Sequence, residues 1–429
     1  MLANLHSLQL KIATTGADSL ARASGFLRRR SKKLNPSNFL LTACLFALRN
    51  HCSLASFAQH WALLHQQHLS KQAVHKRFGA AAVRFLQAVL QSVLATTLRE
   101  RAIPAIAKTT CFNRILLQDS TCLSLPAKLA SLLPGPANQS AQKQAGLKIQ
   151  ATLDLLKNQW VKFQLTPFTL NDQKASPSIL ENLRPADLVI RDLGYLVLGV
   201  FKQIQQQGAY FLSRFRCDLS VFCPRSQAKI SLLATLQPSG PVWEKDVLLG
   251  EQKLPARLIA VRLAPAVAAE RRRKARQNRD RRLNRNQEYF QLLGWNIFVT
   301  NVPASMLETS ALIELYSFRW RIEIIFKAWK SHFKLAHLTE VSANQLLIVV
   351  LAKLIWICWF SIHWTFLATQ EVNVSLLKLA QWWSNFALAL CLQSQKNDSK
   401  ACWQQLTYYC QYEKRKKRLN FLQKCASLS

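Results

Sequence analysis

Acidic side chains are scarce in this chain: 22 Asp and Glu stand against 57 Lys and Arg in 429 residues, a formal net charge of +35. A surplus of that size repels itself unless a polyanion offsets it, so the composition points to nucleic acid as a partner. Paired cysteines are missing as well. The eleven cysteines are an odd number and form no CxxC, and the closest two, Cys217 and Cys223, lack the second half of a zinc framework. Reduced thiols in a cytoplasmic protein are the economical reading. A secretory leader is not expected, because MLANLHSLQLKIATTG has no long uncharged apolar run after a basic start. Long apolar runs are equally rare. One stretch, QLLIVVLAKLIWICWFSIHWTFL at 345–367, is long enough to span a bilayer, but Lys353 falls near its middle and His363 near its end. A lysine in lipid is costly, whereas a core helix of a soluble protein can let it snorkel. The stretch is therefore expected to be a core helix, with a membrane span as the rival.

What the chain does have is apolar mass. Half its residues are apolar, enough for folded domains, and the length suggests two or three of them. Residues 36–100 read as helices. Within them, SLASFAQHWALLHQQHLSKQAVHKRF has the look of a helix–turn–helix: Ser53 would cap a helix running to His65 and Ser70 the next one, whose exposed side would show Lys71, His75, Lys76 and Arg77. An ordinary helical hairpin with a solvated basic face fits the same pattern.

From residue 113 the texture becomes α/β. NRILLQDSTCLSLP is a short apolar run ending at Asp119. KIQATLDLL and WVKFQLTPF flank a KNQ break and read as a hairpin. ADLVIRDLGY ends in Asp192, a helix follows at 197–207, and AYFLSRFR is another strand. This succession matches an RNase H-like fold. Residues 217–263 are strand-like again, 270–288 form an intensely basic run suited to a DNA-facing arm, and GWNIFVTNVP is a strand. Residues 307–334 read as one long helix, and 340–429 as a Trp-rich helical tail closing with basic YEKRKKR.

With so few acids, each one in apolar surroundings is informative. Asp119 and Asp192 end apolar runs, where α/β sheets present functional groups, although a turn or cap is the default role of such an aspartate. Asp154, in ATLDLL, is expected to make a structural hydrogen bond. In YSFRWRIEIIFKAWK (316–330), at about 100° per residue, Tyr316, Arg319, Glu323 and Lys330 share an arc of ~60°, while Ile322, Ile325 and Trp329 point away. Arg319 and Glu323 are also an i,i+4 pair, worth about 0.3–0.5 kcal/mol if merely exposed. Spacing alone leaves both readings open.

The order Tyr, two residues, Arg, three residues, Glu, six residues, Lys resembles the signature of the IS-four family of insertion-sequence DDE transposases. DST at 119–121 and RDLGY at 191–195 resemble its two aspartate motifs, and AAERRRKARQNRDRRL followed by LGWNIFVTNVP resembles the arm and strand before the glutamate. The resemblance covers roughly residues 100–340. It implies an RNase H-like catalytic core at 106–340, interrupted by a β-rich insertion at about 217–290. A helical DNA-binding region would occupy 1–105 and a helical region 341–429. It implies that Asp119, Asp192 and Glu323 are catalytic and hold two Mg²⁺ or Mn²⁺ ions, since three carboxylates together repel unless metal neutralises them. Tyr316, Arg319 and Lys330 would contact DNA phosphates. Trp295 lies in a strand, where a tryptophan is most often core, but the resemblance implies that it stacks on a base drawn out of the duplex. The implied activity is cleavage at the inverted repeats of a transposable element and transfer of 3′-hydroxyl ends into target DNA. A dimer would bring the two DNA ends together, without any membrane, at the nucleoid in the cytoplasm. A metal-dependent nuclease and a non-catalytic DNA-binding regulator are the alternatives.

Overall fold

The computed structural model describes residues 16–29, 34–49, 52–96, 110–136, 143–278, 286–338, 342–369, 374–393, 404–406, 408–412 and 421–427. Part of the basic run (279–285) and most of the basic YEKRKKR segment (413–418) lie outside these residues. Among the described residues five helices come first: α1 (Ala17–Ala23), α2 (Pro36–Ala47), α3 (Leu54–His65), α4 (Lys71–Arg77) and α5 (Ala80–Ala95). Their starts follow from local chemistry. The Asn35 side chain accepts from the N–H groups of Ser37 and Asn38, ahead of Pro36 at the first helical position. Ser53 and Ser70 accept from the N–H groups of Ser56 and Ala73. Each cap satisfies donors that the first turn leaves without partners.

Next come β1 (Arg114–Leu125), β2 (Ala145–Asp154), β3 (Gln159–Pro167), α6 (Asp172–Ala175), β4 (Asp187–Arg191), α7 (Leu198–Gln206) and β5 (Tyr210–Arg214). They are followed by β6 (Val221–Phe222), β7 (Lys229–Ile230), α8 (Leu232–Leu236), β8 (Val242–Leu249), β9 (Leu254–Arg262), α9 (Pro265–Gln277), α10 (Gln287–Leu292) and β10 (Trp295–Thr300). The chain then turns helical: α11 (Thr309–Ser317), α12 (Trp320–Ser331), α13 (Ala343–Thr369), α14 (Leu376–Gln393) and α15 (Phe421–Ser427). All ten strands join one sheet, in the order β3-β2-β1-β4-β5-β10-β9-β8-β6-β7. The strand-rich stretch after residue 217 thus extends the central sheet. β9 pairs antiparallel with β10, and β10 with β5, so neither is left with an open row of backbone donors and acceptors.

Register decides where the sheet opens. β1 runs parallel to β4 only from Arg114↔Asp187 to Gln118↔Arg191, while its antiparallel pairing with β2 continues to Leu125↔Ala145. The strand therefore does not end at Asp119, as its apolar run suggested; Asp119 is the first residue beyond the reach of β4. The hairpin at 157–159 forms as expected, and Asp154 accepts from the N–H groups of Leu156 and Lys157 in its turn.

One apolar cluster runs from Ala17 in α1 through α2–α5, the β1–β3 face and α12 into α13 and α14. The N- and C-terminal stretches thus share a core with the sheet. A second cluster joins α7 and α8 to β5, β8, β9 and β10. Among the described residues, α13 is the one single helix long and apolar enough to cross a membrane, and 94% of its most apolar window is buried inside the fold. Lys353 does not snorkel. It is 0% exposed, and its ammonium donates to the carbonyls of Lys334 (2.5 Å) and His337 (3.4 Å), just past the end of α12. Burial lowers its pKa to about 8.

Candidate active site

The expected single helix at 307–334 is two, α11 and α12, joined at Phe318–Arg319. There the backbone tightens to i→i+3 bonds, with Arg319 N–H donating to the Tyr316 carbonyl and Arg321 N–H to that of Phe318. Tyr316 lies buried just before this step, against Arg319. α12 is anchored by its apolar side: Ile322, Ile325 and Trp329 are buried, and the Trp329 ring lies 4.8 Å from that of Trp160 on β3. Arg321 also faces inward, its guanidinium 3.9 Å from the Phe421 ring centre and 4.5 Å from that of Trp364. The opposite side of α12 carries Glu323 to the sheet opening.

Three acids meet there from three separate elements. Gln118 and Arg191 are the last partners of the parallel pairing, so the next residues, Asp119 and Asp192, stand side by side where β1 and β4 part. Arg319 joins them to Glu323. Its Nη2 lies 2.6 Å from Glu323 Oε1, its Nη1 3.5 Å from Asp119 Oδ2, and its Nε 4.0 Å from Asp192 Oδ1. An open cleft of about 560 Å³ is lined by these three acids with Arg319, Lys327 and Lys330. Burial pushes the Asp119 carboxyl up to about 7. The Ser120 N–H and Arg319 oppose that rise, while the negative charges of Asp192 and Glu323 add to it.

Such a donor set suits hard divalent cations. It offers carboxylate oxygens only, with no thiolate or imidazole, and its acids already gather around one positive charge. Among the described residues no three His, Cys, Asp or Glu side chains stand close enough together to share one ion as they lie.

Residues 110–358 match the transposase DDE domain family. The chain belongs to the DDE transposases of insertion sequences. It is 31% identical over 361 residues to the transposase for insertion sequence element IS231C of Bacillus thuringiensis subsp. berliner, covering 79% of this chain and 74% of that one. Against the IS231F transposase of B. thuringiensis subsp. israelensis it is 29% identical over 373 residues, 82% and 77% of the two chains. A more distant relative, the IS1151 transposase of Clostridium perfringens, is 24% identical over 362 residues, 79% and 75% of the two chains. The transposase thus has DNA as its partner, which accounts for its positive charge.

Not every residue singled out from the transposase sequence reaches the cleft. Lys330 does. Tyr316 is only 9% exposed, its ring 5.0 Å from that of Phe298 on β10 and edge-on to it, with the Arg319 guanidinium 5.9 Å away. Burial raises its pKa to about 12. Its contacts are with Arg319 and Phe298. Trp295 takes the place usual for a tryptophan in a strand. It is 7% exposed, packs in the second apolar cluster, and has the Arg262 guanidinium 4.7 Å over its ring. The strand alternation that begins β10 turns this side chain toward the core. Trp320, at the start of α12, is by contrast 60% exposed. Lys327 was missed as a cleft residue, although its i+4 spacing from Glu323 was a usable signal.

Proposed function

We propose that this DNA transposase cuts DNA at the ends of its element by divalent-metal-dependent hydrolysis and joins the resulting 3′-hydroxyl ends to target DNA. Asp119, Asp192 and Glu323 hold the metal, as two Mg²⁺ or Mn²⁺ ions, within an RNase H-like core. One observation carries this reading. The three acids predicted from distant motifs gather around the Arg319 guanidinium in one cleft of a protein with a surplus of positive charge. The order β3-β2-β1-β4-β5, with β1, β4 and β5 parallel, supports the RNase H-like assignment.

Bound divalent ions supply charge stabilisation to the reacting phosphoryl group and activate the attacking hydroxyl. The protein's own groups do the rest. The elevated Asp119 pKa means that this carboxyl sheds its proton as it takes up a cation. Arg319, Lys327 and Lys330 offer positive charge along the cleft for the DNA backbone on either side of the scissile phosphate. Tyr316 and Phe298 support Arg319 from behind. In this reading the α3–α4 pair, with Lys71, His75, Lys76 and Arg77 exposed on α4, docks on DNA. Two copies assemble on a pair of element ends, and the work is done on nucleoid DNA in the cytoplasm.

Asp119→Ala, Asp192→Ala and Glu323→Ala are each expected to lower Mg²⁺-dependent cleavage by more than about three orders of magnitude, roughly 4 kcal/mol of transition-state stabilisation. DNA binding measured by gel shift should persist in all three. Full cleavage by any of them refutes the triad. Cleavage of terminal-repeat DNA without joining of its 3′ ends would instead make the protein a metal-dependent nuclease.

A further inference from the structure

A fourth carboxylate lies behind the cleft and has no part in the triad. Asp172, the first residue of α6, is 29% exposed at its side chain. Its Oδ1 accepts from three donors on β1 and β2: Ser120 Oγ at 3.0 Å, Gln150 Nε2 at 3.1 Å and Lys148 Nζ at 3.3 Å. Ser120 follows Asp119 directly and stands opposite Gln150 in the β1–β2 register. Gln150 uses its other end, Oε1, to accept from the Tyr195 hydroxyl. Tyr195 closes the turn that Asp192 opens, its N–H donating to the Asp192 carbonyl at 3.1 Å. The second Asp172 oxygen rests against Gly194, where a Cβ would stand 3.4 Å from it. One carboxylate thus touches the neighbour of the first acid, reaches the turn of the second through a glutamine, and lies within van der Waals reach of that turn at Gly194.

A separate staple lies on the strand side of the acids. Arg191, fully buried, donates from Nε and Nη2 to Gln118 Oε1 (2.9 and 2.6 Å), and from Nη1 and Nη2 to the hydroxyl and carbonyl of Ser176 (2.9 and 2.6 Å). It ties β1 to β4 one residue before Asp119 and Asp192. Beyond those residues the two strands no longer bond to each other. The Asp172 network bridges them on that far side.

We infer that Asp172 is a positioning residue for the transposase centre, fixing the spacing of Asp119 and Asp192 through Ser120 on one arm and through Gln150 and Tyr195 on the other. The inference rests on the triad reading above. An ion pair with Lys148 alone would give Asp172 a purely local role. The shared Oδ1 acceptor and the chain through Gln150 to Tyr195 instead connect it to both aspartate motifs. Groups that orient metal-binding side chains are typically worth about 10–100-fold in metal affinity or activity.

The test uses the full chain without DNA, with Mn²⁺ binding followed by electron paramagnetic resonance, together with cleavage rates in Mg²⁺ and Mn²⁺. Asp172→Ala is expected to weaken Mn²⁺ binding by about 10–100-fold. It should also cut cleavage more in Mg²⁺ than in Mn²⁺, because Mg²⁺ demands near-ideal octahedral geometry. Asp172→Asn keeps an Oδ1 acceptor and should restore binding to within a few-fold of wild type. Wild-type Mn²⁺ affinity in a folded Asp172→Ala protein overturns the inference, and so do equal losses in both metals or in both variants. Should the alanine variant fail to fold, Ser120→Ala and Asp172→Asn, alone and combined, decide it: non-additive losses in Mn²⁺ binding support the shared network, and additive losses refute it. Asp119→Ala separates the two levels. If wild-type Mn²⁺ binding does not depend on Asp119, the triad itself is wrong. If it does, and Asp172→Ala binds normally, only the role of Asp172 falls.

Discussion

The two halves of the ten-stranded sheet are built on different principles. The half ordered β3-β2-β1-β4-β5 buries polar side chains in its middle: Gln118, Gln150, Arg191 and Ser176 are all nearly or fully enclosed, and all have partners. The half containing β10, β9 and β8 is filled by aliphatic and aromatic side chains and has one main polar lock. There Arg257 on β9 donates to Glu244 Oε1 on β8 (2.6 Å), to the Leu307 carbonyl (2.8 Å) and to Thr309 Oγ1 (2.9 Å), and the Thr309 hydroxyl donates to Glu244. Buried polar networks are costly when incomplete and orienting when complete. The first half therefore spends its polar groups on aiming two aspartates. The second uses one lock to hold the start of α11, which leads to the helix bearing Glu323. One half aims, and the other supports.

The sharpest way to break this contrast is at Arg257. Arg257→Ala is expected to lower stability by about 3 kcal/mol, the low end for a broken buried pair because Glu244 keeps some contact with water. Urea unfolding monitors the loss, and triad chemistry should survive at temperatures where the variant remains folded. A loss of cleavage without a loss of stability would erase the distinction between the halves.

A smaller effect follows from the elevated Asp119 pKa. Metal requires the ionised carboxylate, so divalent-metal affinity should rise with pH by about tenfold per unit up to about 7 and level off above it. Without added metal the sign for stability is the reverse. A carboxyl that holds its proton more tightly when folded favours the fold in acid, and this contribution fades as pH rises from about 4 to about 7. Isothermal titration with Mn²⁺ between pH 5.5 and about 8.5 tests the first part; a flat profile would remove Asp119 from the metal site.

The smallest expected effects concern DNA affinity. Arg319→Ala should reduce the slope of log affinity against log salt by about 0.9, the value for one phosphate contact, and Lys71→Ala with Lys76→Ala on α4 should reduce it by about twice that. Both are read by filter binding from low to moderate salt. An unchanged slope for Arg319→Ala would leave that residue as a clamp on the acids alone, and an unchanged slope for the lysine pair would return α3–α4 to the role of a plain helical hairpin.

Much of the architecture was legible because it rests on local signals. The caps at Ser53 and Ser70, the hairpin at 157–159 and the helix between β4 and β5 each follow from a few neighbouring residues. Ile322, Ile325 and Trp329 lie inside as their spacing required. Lys353 was misjudged because its partners, the carbonyls of Lys334 and His337, belong to a chain turn that only packing brings near. The surroundings of Trp295 were hidden for a related reason: a lone aromatic in a strand declares no face until its neighbours are known, and Arg262 lies on the adjacent strand β9.

By itself the sequence determined the family and the charge that suits the protein to DNA, and it singled out the three acids that the proposed function uses, because residue type and spacing persist without coordinates. Tertiary structure alone decided the rest. It ended the β1–β4 pairing at Gln118 and Arg191 and so set Asp119 beside Asp192. It broke the helix at Phe318–Arg319 and left Arg319 among the acids. It also brought Asp172 beneath both aspartate motifs. The physical reason is common to all three. Strand register and the meeting of buried polar groups depend on partners distant in sequence, and their energies exist only once the chain has folded around them.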